Sequence, residues 1–89
     1  MIHEMTTTLP PGEVLEQAKA FFGTRVPATA AFLEKEGPGH LVMRGQGGEE
    51  LVFAVRAGER GTLVRGSTLL FDQQVKRFYT TLPAAPAAA

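Results

Sequence analysis

Three glycine-bearing breaks, "GPG", "GQGG" and "GER", divide the stretch from Thr29 to Leu69 into four short segments. These are Thr29 to Glu36, His40 to Gly45, Glu49 to Ala57 and Gly61 to Leu69, each strand-like in composition and alternation. Short glycine-bearing gaps between such segments are hairpin signals, so the stretch predicts an antiparallel meander. The rest of the chain has to fit around that sheet.

The glycine cluster in "MRGQGGEELVF" also admits a phosphate-binding reading, which its flanks weigh against. A phosphate cradle runs from a strand into a helix, whose N-terminus supplies N–H groups and a favourable dipole. Here the loop runs into "EELVFAV", which alternates as a strand does. It lacks the Lys-Ser/Thr pair of a P-loop, and Glu49 and Glu50 would repel phosphate. As a hairpin, Gln46, Gly47 and Gly48 form a three-residue loop with Gly48 in the left-handed conformation. Met43 then faces Leu51, Val42 faces Val52, Leu41 faces Phe53 and Arg44 faces Glu50. The apolar residues collect on one face, and a slip of one residue would destroy the pattern. With Gly58-Glu59 as the next turn, Phe53 faces Val64, Val52 faces Arg65 and Ala54 faces Leu63.

Before the meander, Ile2 to Leu9 alternates and carries three consecutive threonines, which favours a strand. Pro10 and Pro11 end it, and proline suits a first helical turn. "GEVLEQAKAFF" follows, with Val14, Leu15, Ala18, Phe21 and Phe22 at helical spacing and Gly23 as a C-cap. After the meander, "LLFDQQVKRFYTTL" spaces Phe71, Val75, Phe78 and Leu82 as one helical stripe, and Pro83 ends it. The expected fold class is α+β: a two-layer β-α-β-β-β-β-α sandwich, with a five-stranded antiparallel sheet and two helices on one face. Residues 1–82 form the single domain, and 83–89, "PAAPAAA", form a flexible Ala/Pro tail.

The strand, the helix start Pro10-Pro11-Gly12-Glu13-Val14, the meander and the aromatic-bearing C-terminal helix resemble a reduced START/polyketide-cyclase (SRPBCC, Bet v 1-like) domain. The element order also resembles one half of the TATA-binding protein. Both resemblances span about residues 2 to 82 and imply the two-layer fold; neither transfers a functional residue. Full-length members of the first family enclose an apolar cavity under a long C-terminal helix. Here that helix has about four turns. The TATA-binding protein presents a basic sheet with phenylalanine wedges. Here the phenylalanines fall on helices and core strand positions.

The chain has 89 residues, a formal net charge of zero and no cysteine. Charge neutrality argues against nucleic acid or an anionic membrane as partner. Absence of cysteine excludes disulfides, thiol catalysis and thiolate metal sites. No apolar run approaches a membrane span. "MIHEMTTTLPPGE" carries acid where a signal peptide carries base, so a cytoplasmic location is expected. The histidines, His3 and His40, stand apart and are expected to be solvated. Asp72 and Ser67 are the only aspartate and serine, with no triad context. Glu49 and Glu50 point to opposite faces of a strand. Tyr79 is expected as a half-buried packing residue. "KRFY" mixes bases with aromatics, but Phe78 belongs to the core stripe. No enzyme, metal or cofactor is expected.

What remains is the outer sheet face. Val42, Val52, Ala54 and Leu63 form an apolar patch there, rimmed by Arg44 and Arg65, which is the pattern of a contact surface. These six residues are the candidate interface of a homodimer or of a complex with another protein. The alternative is a small apolar or lipid-like ligand between the sheet and the last helix, against Phe71, Val75, Phe78 and Tyr79.

Overall fold

The computed structural model describes residues 1–25, 31–45 and 47–85. Its elements are β1 (Ile2–Thr7), α1 (Pro11–Ala20), a π-helical turn (Phe21–Arg25), β2 (Ala31–Gly37), β3 (His40–Gly45), β4 (Glu50–Gly58), β5 (Gly61–Thr68) and α2 (Asp72–Thr80). They form one antiparallel sheet in the order β1-β5-β4-β3-β2, with both helices packed on one face. This is the expected α+β architecture. Strands β2 to β5 are the meander. β1 lies beside β5, so α1 and the segment after it carry the chain from one sheet edge to the other.

Burial follows the two periodicities. Leu41, Met43, Leu51, Phe53, Val55 and Val64 are the inward residues of β3, β4 and β5, and all are buried. Val14, Leu15 and Ala18 meet them from α1, Val75 and Phe78 from α2. Phe22, Phe53 and Phe78 form the centre, with ring centroids 5.4–5.8 Å apart and planes tilted or edge-on. Gly66 lacks a side chain where one would meet the Tyr79 hydroxyl at 2.9 Å, so β5 and α2 approach closely there. Among the described residues three threonine hydroxyls are buried in this layer, and each is bonded. Thr7 donates to the Pro83 carbonyl (2.6 Å), Thr62 donates to that of Leu9 (2.6 Å), and Thr68 accepts from the Phe71 amide (3.1 Å).

Strand ends differ from the expected ones by one or two residues, and both helices need correction. α1 stops at Ala20, and Gly23 falls inside the π-helical turn rather than capping the helix. Phe21 and Phe22, at the start of that turn, are both buried. α2 begins at Asp72, because Thr68 captures the Phe71 amide and leaves Leu69 and Leu70 in an exposed connection. Pro83 and Ala85 are hydrogen-bonded to the chain around β1. Thr8 donates to the Pro83 carbonyl at 3.1 Å and Ala85 to that of Thr6 at 3.0 Å. The expected β2 start at Thr29 and the tail residues 86–89 lie outside the described residues.

Candidate interaction face

The β3–β4 hairpin has the expected register: Leu41 pairs with Phe53, Val42 with Val52, Met43 with Leu51 and Arg44 with Glu50. Gly48 has φ +90°, the left-handed conformation expected of it, and the Gly45 amide donates to the Glu49 carbonyl at 2.7 Å. Gln46 lies outside the described residues. The glycines thus join two strands, with no helix N-terminus behind them.

The β4–β5 register corrects the expected one. Phe53 pairs with Gly66, Ala54 with Arg65, Val52 with Ser67 and Arg56 with Leu63. The turn is Glu59-Arg60, between Gly58 and Gly61, and Gly61 has φ +145°. The difference is two residues, which preserves the side-chain face. Alternation is blind to such a shift.

All six candidate interface residues lie on the face turned away from the helices. Row by row, Val42, Val52, Ser67 and Ile2 stand side by side across β3, β4, β5 and β1. The next row is His40, Ala54, Arg65 and Glu4. Val42 and Val52 are half-buried by their neighbours; Ala54, Leu63 and Arg65 are exposed. No described element covers this surface. Arg56 and Arg65 make no ion pair with a described residue. A shallow groove of about 300 Å³ runs between them, with Ala54, Leu63 and Glu4 in its lining.

Arg44 is held otherwise. It pairs with Glu50 at 3.3 Å as expected, but its main partner is Glu34, reached through both Nε and a second guanidinium nitrogen, the latter at 2.9 Å. Glu34 sits at an irregularity in β2, where Leu33 pairs with Met43 and Lys35 with Val42. The guanidinium hydrogen bond holds the Glu34 carboxyl below its ordinary value of 4.5. This cluster closes one end of the face.

Phe71, Val75, Phe78 and Tyr79, the candidate ligand contacts, are brought together, but as packing. The first three are buried, Phe71 and Phe78 in ring contact with Phe22. Tyr79 is half-buried, as expected, and donates to the His3 carbonyl at 2.6 Å. Burial pushes its phenol up to about 12.

Sequence reasoning missed three features near these residues. Ile2 and Glu4 join the outer face because β1 docks on β5, an adjacency that hydrophobic pattern does not encode. Leu69 and Leu70 are exposed and, with Ile2, line an open groove of about 630 Å³ at the end of the sheet. His3 is not solvated: it points inward from β1 and its Nε2 lies 2.6 Å from Asp72 Oδ1. That hydrogen bond is the chief reason the Asp72 carboxyl lies below its ordinary 3.8. His40, in contrast, is exposed as expected. Among the described residues no three His, Cys, Asp or Glu side chains gather to hold a metal ion, and no helix is long and apolar enough to cross a membrane.

Comparison of the chain with protein-family models, with curated proteins and with solved structures finds no match.

Proposed function

We propose that this is a non-catalytic domain that self-associates, or docks another protein, through the open face of its sheet. One observation carries the reading. The row Val42, Val52, Ser67 and Ile2 spans four of the five strands with no described element over it, and charged residues flank it. A small domain clad on one side only gains buried apolar area by pairing its second side. Five strands about 4.8 Å apart, over four outward rows, make a face of about 24 by 20 Å. That is small for a stable interface, so affinity in the micromolar range is expected. The likeness in element order to START/polyketide-cyclase domains and to half of the TATA-binding protein adds no residue to this reading.

The test is Val52→Arg, which places a charge at the centre of the row and touches nothing in the core. Light scattering is expected to show the variant as monomer at concentrations where the parent chain is larger. Unchanged size for the variant contradicts the reading. The second expectation, an apolar ligand beneath α2, is tested by native mass spectrometry of freshly purified protein; a retained small molecule supports it.

A further inference from the structure

The outward side chains of β4, in order, are Glu50, Val52, Ala54 and Arg56. Acid, apolar, apolar, base is a sequence complementary to its own reverse. β4 is also the middle strand of the five. Resting on the reading that the open face self-associates, we propose that its partner is a second copy stacked with β4 antiparallel to β4, about a two-fold axis at the level of Phe53 and perpendicular to the strands.

The charges choose this arrangement over the other two-fold stacking. With the axis perpendicular to the strands, Glu50 lies over the second copy's Arg56 at both ends of β4. Val52 lies over Ala54, a large residue against a small one. Rotation about an axis along β4 would instead set Arg56 over Arg56 and Glu50 over Glu50. Like charges opposed at an interface are disfavoured. The flanking strands agree. On β5, Arg65 comes over Ser67, and Leu63 comes over the strand end where Leu69 is exposed. On β3, Val42 comes over His40. Arg56 is available for this contact because it makes no ion pair with a described residue. Stacked sheets cross at about 30°, which displaces each end of a 20 Å strand by about 5 Å. Arginine and glutamate side chains span that offset, and registry is best kept at the central strand.

The experiment uses Glu50→Arg and Arg56→Glu, alone and mixed, with self-association read by sedimentation. Each variant alone opposes like charges at both ends, which is expected to weaken self-association about tenfold. Mixed in equal amounts, one copy supplies two arginines and the other two glutamates, so a heterodimer within about threefold of the parent affinity is expected. The mixture also controls for the repulsion that Glu50→Arg creates beside Arg44 within one chain. Single variants as tight as the parent, or a mixture no tighter than either variant, overturn the antiparallel register. Val52→Arg run alongside separates the two claims. Dissociation by Val52→Arg without recovery in the mixture removes the register alone. An unaffected Val52→Arg assembly removes the face itself, and with it both readings.

Discussion

Replacing Phe78 by alanine deletes the ring that joins α2 to both the sheet and the π-helical turn. The side chain is fully buried, and its centroid lies 5.4 Å from Phe21, 5.8 Å from Phe22 and 5.4 Å from Phe53. Its ring neighbours come from two other elements, the π-helical turn and β4, so no single rotamer change refills the space. A buried Phe→Ala change of this kind costs about 3–5 kcal/mol. An 89-residue domain has about 4–13 kcal/mol in total. The variant is therefore expected to lie near the limit of folding. Phe78→Leu keeps most of the volume and is expected to cost about 1–2 kcal/mol. Urea unfolding at one fixed chain concentration measures both, because self-association raises apparent stability by mass action. With a slope of about 1.5 kcal/mol/M, the alanine midpoint falls by about 2–3 M and the leucine midpoint by about 1 M. If Phe78→Ala costs less than about 1 kcal/mol with an unchanged slope, the ring is not part of a close-packed core.

Tyr79 is the only tyrosine and there is no tryptophan, so phenolate absorbance follows this one side chain. It is expected to titrate near 12 in the folded chain and near 10 in urea. The raised value means stability is complete below about pH 10 and falls as pH rises through about 12; a folded-state midpoint near 10 would contradict its burial. Asp72 behaves oppositely. Its lowered carboxyl contributes stability above about pH 4 that is lost as pH falls through the folded value. Asp72→Asn is expected to flatten the acid limb of a thermal-melting series, and an unchanged limb would show that the His3 contact contributes nothing.

The two faces of β3 and β4 were legible because one-residue register errors are costly where one side is buried. Met43 against Leu51 and Arg44 against Glu50 were enough to sort core from surface. The β4–β5 pairing was not legible at the same precision, since a two-residue shift keeps Val52, Ala54 and Arg65 on the same face. Long-range partners were harder still. His3 and Asp72 are 69 positions apart, and their contact depends on β1 docking beside β5. Glu34 reaches Arg44 through an irregularity in β2 that no alternation reveals. The spacing of Phe21 and Phe22 places both in the core, where they are buried, but a 3.6-residue period carries no sign of the π-helical turn they stand in. The six candidates stay on the outer face because the two-residue shift between β4 and β5 preserves side-chain parity. β1 then extends the patch they form.

On the proposal above, the open sheet face holds a second copy of this chain. Sedimentation equilibrium of the unmodified chain, from about 1 μM to about 1 mM, tests it most directly across the affinity range expected for so small a face. The weight-average mass is expected to start at 9.5 kDa and rise toward twice that value. A mass that stays at 9.5 kDa across the whole range would contradict it.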